Sequence, residues 1–227
     1  MRCLRQDPWE CTLSFICSQN NNIKRITQLV TAIRDNFGQP IQTETLGLAP
    51  LYSFPSLAAF KASATDAKLR ELGFGYRAPY IVESLGTIQS KGGETWIRGL
   101  RGKPLSEVRS ELKQLKGVGT KVADCVALFS MDCPETIPVD THVFQIAKKF
   151  GFLKGKAGGS SATLTEKTYQ QITDAFIDIY GDKAGWAHQV LFAGDLASFK
   201  DKINGAKQEK VKTQETGKKR TYQEVTK

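Results

Sequence analysis

LKGVGTKVADC, residues 115–125, decides how this chain is read. Gly117 and Gly119 flank a single valine, which permits a tight turn and a close backbone approach by another molecule. An apolar helix is predicted to start at Thr120, with Lys121 in its first turn. Helix starts expose unpaired N–H groups and a partial positive charge, so an ammonium is disfavoured there. Partly desolvated at such a position, a lysine loses its proton more readily, and the free amine can attack an electrophilic carbon. The plain alternative is a solvated lysine on an exposed helix face.

Helix, Leu-Lys-Gly-Val-Gly-Thr, helix is the helix-hairpin-helix pattern. Its turn N–H groups and the following helix start suit a DNA phosphate, whereas an ordinary helical turn would use the glycines for geometry alone. A carboxylate partner for Lys121 stands 19 residues downstream, at Asp140 in IPVDTHV (137–143). Asp140 also falls where the next helix begins, a position at which aspartate is a favoured N-cap, and the two roles are compatible.

The rest of the composition fits a polyanionic partner without proving one. The chain of 227 residues carries a formal net charge of +9, which favours nucleic acid among partners but also plain solubility. The tail, 200–227, holds nine Lys/Arg against four Asp/Glu and few apolar residues, so it is predicted to be disordered. Its GKKR run (217–220) is of the kind nuclear import machinery reads, so nuclear residence is expected, with the mitochondrion as the other option. The N-terminus has no secretory apolar core and no stretch is long enough to span a bilayer, so an intracellular protein without membrane contact is expected. Cysteines 3, 11, 17, 125 and 133 form no CxxC pair. They are read as reduced thiols, with no tight cluster for zinc or iron–sulfur.

Apolar spacing is helical almost throughout, giving an all-α domain over 1–199. Asp7-Pro8 opens a helix to about 19, and Ile23 starts one that stops at Gly38. Further helices are expected near 56–62, 65–72, 77–90, 94–100, 105–115, 120–131, 140–150, 165–180 and 182–196, with a flexible loop at GKAGGSSATLT (155–165).

Through LKGVGTKVADC and IPVDTHV the chain resembles the helix-hairpin-helix-GPD base-excision DNA glycosylases. Within them it resembles the eukaryotic type of 8-oxoguanine DNA glycosylase/AP lyase. The likeness continues through LRQDPWECTLSFICSQNNNIKRIT (4–27), ELGFGYRAPYI (71–81) and GWAHQVLFAGDL (185–196). It implies that Lys121 attacks C1′ of a damaged nucleotide and forms a Schiff base that permits β-elimination, while Asp140 stabilises the cationic sugar and assists proton transfer. It further implies that Asn20 fills the gap left by an extruded base, that Tyr76 wedges beside it, and that Arg25 and Arg77 hold the widowed cytosine. Phe192 and Cys125 would sandwich the base, His142 would touch a phosphate, and Gly117 and Gly119 would approach the DNA backbone. Read from the residues alone, Asn20 to Asn22 is a turn, Tyr76-Arg77 a helix start, and Phe192 and Cys125 core packing. The same resemblance implies duplex DNA containing 8-oxoguanine opposite cytosine as substrate, monomeric action, no required cofactor and no iron–sulfur cluster. A cation on the backbone carbonyls of Lys113, Leu115 and Val118 is a further implied feature.

Two departures qualify the match. His188 stands where the family has a glutamine that reads the base's Watson–Crick edge, with Gln189 next to it, and a neutral imidazole offers one donor and one acceptor. The family also has a strand-rich N-terminal domain whose backbone carbonyl recognises the N7 hydrogen of 8-oxoguanine. That domain is not in this sequence, and its loss is expected to expose apolar surface. Lys116 replaces a usual proline. A DNA-binding remnant without turnover, and an AP lyase or glycosylase for another oxidised purine, therefore stand as alternatives.

Overall fold

The computed structural model describes residues 3–42, 49–153 and 163–196. The predicted basic tail, with its GKKR run, and most of the 155–165 loop lie outside them. The described residues fold into helices: α1 Pro8–Cys17, α2 Ile23–Phe37, α3 Leu57–Ser63, α4 Asp66–Glu71, α5 Arg77–Ser90, α6 Glu94–Arg98, α7 Leu105–Leu112, α8 Thr120–Ser130, α9 Thr141–Lys149, α10 Glu166–Tyr180 and α11 Ala184–Asp195. The expected helices are all present, within a few residues at their ends. An antiparallel ribbon of β1 Pro40–Ile41 and β2 Leu51–Tyr52 pairs Pro40 with Tyr52 and Ile41 with Leu51. The helical spacing gave no sign of it, because two-residue strands are too short to show alternation. Among the described residues no helix is long and apolar enough to cross a membrane.

Local chemistry sets the helix starts. Asp7 accepts from the N–H groups of Trp9 and Glu10, with Pro8 at the first helical position. This arrangement satisfies two of the orphan donors of α1 and presets its φ. Asn22 caps α2 through Arg25 N, and Thr165 and Thr168 form a reciprocal capping box on α10. By contrast α8, with Gly119 at its N-cap, has no side-chain cap, so no capping side chain satisfies its first N–H groups.

Two apolar clusters hold the molecule together. The larger one is built from α1 to α8 and contains Phe60, Phe74, Ile81, Val122 and Val126. The smaller one joins the 137–139 segment to α9, α10 and the start of α11 through Ile137, Val139, Phe144, Ile172, Phe176 and Ala184. Full burial of each such side chain contributes about 1.5–3 kcal/mol. Lys121 therefore stands on a helix of the larger cluster, and Asp140 on an element of the smaller one. Close contact at Gly185 seats α11: its N–H donates to Pro134 O at 2.8 Å, and a Cβ there would lie 2.3 Å from Thr136 O.

Candidate active site

The hairpin turn is fixed at three points. Gly117 has φ +79°, and a Cβ on it would come within 2.6 Å of the Tyr80 ring, so both backbone and space require glycine. Its carbonyl accepts from Gln19 Nε2 at 2.6 Å, and the Lys116 carbonyl accepts from Ser84 Oγ at 3.2 Å. Gly119 differs. Its φ is −90°, and a Cβ there would meet nothing within 4 Å. Neither strain nor internal packing demands that glycine, which leaves an open backbone for an incoming group.

Beside the turn lies the polar loop between α1 and α2. Asn20 is exposed with φ 42°, a left-handed conformation that asparagine tolerates better than most residues. Three groups hold its neck. Tyr76 Oη donates to Gln19 O at 3.1 Å, and Arg77 Nη2 donates to the carbonyls of Gln19 and of Asn20. Arg77 is 5% exposed and lies with its guanidinium carbon 4.5 Å from the Tyr76 ring centre. In this structure it braces the loop through those two carbonyls. Arg25, at the surface, donates to Gly73 O at 2.8 Å.

Lys121 and Asp140 share two cavities. An open cleft of ≈ 500 Å³ is lined by Gln19, Asn20, Gly117, Gly119, Lys121 and Asp140, among others. A smaller cavity of ≈ 190 Å³ is lined by the same lysine and aspartate with Phe15, Cys125, His188 and Phe192 among its walls. The pair thus stands where an amide-lined cleft and a small aromatic-walled chamber share residues. Asp140 Oδ1 accepts from both His142 N and Val143 N at 2.9 Å, so the carboxylate caps α9 while it lines the cavities. Lys121 Nζ lies 5.7 Å from the centre of the Phe15 ring, which stacks on Phe129.

Inside the chamber, burial pushes the Cys125 thiol up to about 11, despite the opposing charge and hydrogen bond of Lys121. At neutral pH it is a neutral, polarisable wall. His188 is 2% exposed, and burial depresses it to about 4, with Asp140 acting in the opposite direction. The ring is neutral. Its Nδ1 lies 3.0 Å from Gln189 Nε2, and its buried Nε2 has no hydrogen-bond partner in the protein. A buried polar atom without a partner is expensive, and a ligand that supplies one relieves it. Phe192 stands edge-on to His142, whose Nε2 lies 3.4 Å from Asp195 Oδ2. In this structure His142 faces Asp195 and Phe192.

The structure thus brings Lys121, Asp140, Cys125, His188 and Phe192 to one chamber, and Asn20, Gly117 and Gly119 to the adjoining cleft. Sequence reasoning missed Phe15, Phe129, Pro138 and Gln189 as chamber walls. On helices, aromatics among apolar neighbours read simply as core, and only the third dimension separates lining from packing. Among the described residues no group of three or more His, Cys, Asp or Glu is placed to hold a metal ion. Of the three hairpin carbonyls, that of Leu115 accepts the Val118 N–H at 3.0 Å. Chemically, an amine and a carboxylate lining an aromatic-walled chamber, beside a helix start that no side chain caps, can serve as a nucleophile and a counter-charge for an electrophilic carbon of a bound ligand.

Residues 13–177 match the family described as "HhH-GPD superfamily base excision DNA repair protein". The chain is 42% identical over 201 residues to the N-glycosylase/DNA lyase OGG1 of Arabidopsis thaliana, covering 88% of this chain and 53% of that protein. It is 37% identical to an N-glycosylase/DNA lyase of Saccharomyces cerevisiae, covering 86% of this chain and 57% of the yeast protein. The chain thus spans little more than half the length of these relatives. Among solved structures, Clostridium acetobutylicum 8-oxoguanine glycosylase/lyase in complex with duplex DNA containing cytosine opposite 8-oxoguanine superposes with a TM-score of 0.69. It shares 31% identity, over 84% of this chain and 60% of that one.

Proposed function

Because the chain belongs to the HhH-GPD superfamily of base-excision DNA repair proteins, we propose that it is a DNA glycosylase with AP-lyase activity that removes 8-oxoguanine opposite cytosine from duplex DNA. One observation carries the reading: Lys121 and Asp140 line both the open cleft and the smaller chamber. A base inside a duplex is out of reach, so it must be extruded into the chamber while its strand stays in the cleft.

In this scheme the hairpin backbone at Gly117 and Gly119 receives a phosphate, and Asn20 enters the gap left by the base. Tyr76 wedges beside it, and Arg25 and Arg77 lie on the side of the widowed cytosine. The base is sandwiched between Phe192 and the Cys125 thiol, and His142 adds a phosphate contact. The free amine of Lys121 bonds to C1′ as the N-glycosidic bond breaks, and the bonding pair leaves with the base, which takes up a proton. Asp140 opposes the positive charge that grows on the sugar. Ring opening of the resulting N,O-acetal, with cleavage of the C1′–O bond, gives a Schiff base, and loss of the C2′ proton expels the 3′ phosphate by β-elimination. No step requires a bound metal; the carbonyls of Lys113, Leu115 and Val118 are the residues that would hold a cation at the turn, with a structural role.

His188 favours a second reading, in which the same chemistry serves another oxidised or ring-opened purine. Its Nε2 is unpartnered, and by resemblance His188 takes the sequence position of the glutamine with which the family reads the base edge. The test is a panel of labelled duplexes carrying 8-oxoguanine opposite each of the four bases, a ring-opened guanine and an undamaged guanine. Fastest excision of 8-oxoguanine opposite cytosine supports the proposal. Preference for the ring-opened base transfers it to the second reading, and salt-sensitive binding without excision of any base contradicts both.

A further inference from the structure

The helix carrying Lys121 and the segment delivering Asp140 belong to different apolar clusters, yet their separation decides the chemistry. A buried polar junction spans the boundary. Asp124 lies on α8 one turn beyond Lys121 and is 0% exposed. Arg109 of α7 grips it with both prongs, Nε to Oδ1 at 2.6 Å and Nη2 to Oδ2 at 3.0 Å. Tyr169 of α10 donates its hydroxyl to Asp124 Oδ2. The same hydroxyl accepts from Val139 N at 3.3 Å and lies 3.2 Å from Ile137 O. Val139 is the residue immediately before Asp140.

A carboxylate with no exposure is costly unless it is fully partnered, and the bidentate arginine and the phenol together satisfy both oxygens. Burial, and then the charge of Asp124, push the Tyr169 hydroxyl up, so it stays protonated at neutral pH. Simple stability is a weak reason to keep such a group, since buried ion pairs gain little over apolar packing. Its distinctive property is direction: it ties the backbone N–H of the residue before Asp140 to a side chain one helical turn from Lys121.

We infer that Tyr169, held by Asp124 and Arg109, is a positioning residue that sets the Asp140 carboxylate against Lys121 for base excision. This rests on the function proposed above. Misplacing a reacting group by a fraction of an ångström to an ångström costs on the order of 10- to 100-fold in rate.

The test is single-turnover excision from an 8-oxoguanine·cytosine duplex by the full chain, comparing wild type, Tyr169→Phe, Asp140→Asn and the double variant, with duplex affinity and thermal unfolding measured on each. Arg109→Lys, which keeps the charge and loses the fork, gives a second route if Tyr169→Phe folds poorly. The expected result is an excision rate lowered ~10-fold or more by Tyr169→Phe, with duplex affinity within about 2-fold of wild type, and little further loss when the change is made on Asp140→Asn. An equal loss in both backgrounds would show general loosening and overturn the inference, as would an unchanged rate in Tyr169→Phe. A wild-type chain that excises nothing from this duplex overturns the functional reading, and the inference with it.

Discussion

Gln19 donates from Nε2 to the Gly117 carbonyl at 2.6 Å, bonding the loop that carries Asn20 to the turn that begins the Lys121 helix. Residues 98 positions apart are thereby held as one surface, with Asn20 and the hairpin amides on the same cleft. Gln19→Ala is expected to leave the fold intact, because the bond is only half-buried. It should weaken binding to a lesion duplex by several-fold, about 0.5–1.5 kcal/mol for one hydrogen bond. Equilibrium binding to a duplex with a non-cleavable abasic analogue measures it.

The two hairpin glycines should separate stability from binding. Gly117→Ala places a Cβ against the Tyr80 ring in a left-handed backbone, and about 1–3 kcal/mol of stability should be lost. Gly119→Ala meets no protein atom within 4 Å at φ −90°, so its unfolding curve should match wild type. Its DNA affinity should still fall if the proposed phosphate contact is made there, because the methyl would then stand between the phosphate and the backbone. Paired melting and binding curves check both halves.

Asp140 caps α9, and asparagine and alanine separate that cap from the charge role proposed for it in excision. Asparagine can still accept from His142 N and Val143 N, so Asp140→Asn should unfold with wild type while excision falls ~100-fold or more. Asp140→Ala should lose the same activity and about 1 kcal/mol of stability besides. Chemical denaturation beside single-turnover excision distinguishes them.

His188 gives the protein an acid-side slope in stability. Burial holds it near 4 when folded, against about 6.5 in an unfolded chain. Between those values the unfolded state binds a proton that the native state refuses. The stability is fully present above about pH 6.5 and is lost as pH falls toward 4, by on the order of 3 kcal/mol. His188→Gln should flatten this portion of the curve, and unfolding free energies of both proteins at about pH 7.5 and about pH 4.5 measure the difference.

Most of the helical skeleton was legible because its punctuation is chemical: Asp7-Pro8 marks a start by capping, Gly73 and Gly151 mark ends in left-handed backbone, and Gly38 marks one where a Cβ would meet Ser53 O. The Lys121 and Asp140 positions were legible as a spacing, LKGVGTKVADC to IPVDTHV. What the sequence could not show were bonds between distant residues. Gln19 to Gly117, Arg77 to the loop carbonyls, and the Arg109–Asp124–Tyr169 junction all depend on how helices meet. One signal was present: Asp124 interrupts an otherwise apolar helix face, and a charge there calls for a buried partner. Phe15 and Phe129 carried no such mark, since a chamber wall and a core side chain have the same composition.

Borohydride trapping on a labelled duplex containing 8-oxoguanine opposite cytosine, with wild type and Lys121→Gln side by side and an abasic duplex as reference, tests whether Lys121 is the nucleophile. A covalent protein–DNA adduct is expected with wild type on both duplexes and none with Lys121→Gln on either. An adduct of equal yield in Lys121→Gln, or no adduct from wild type on either duplex, would contradict that role.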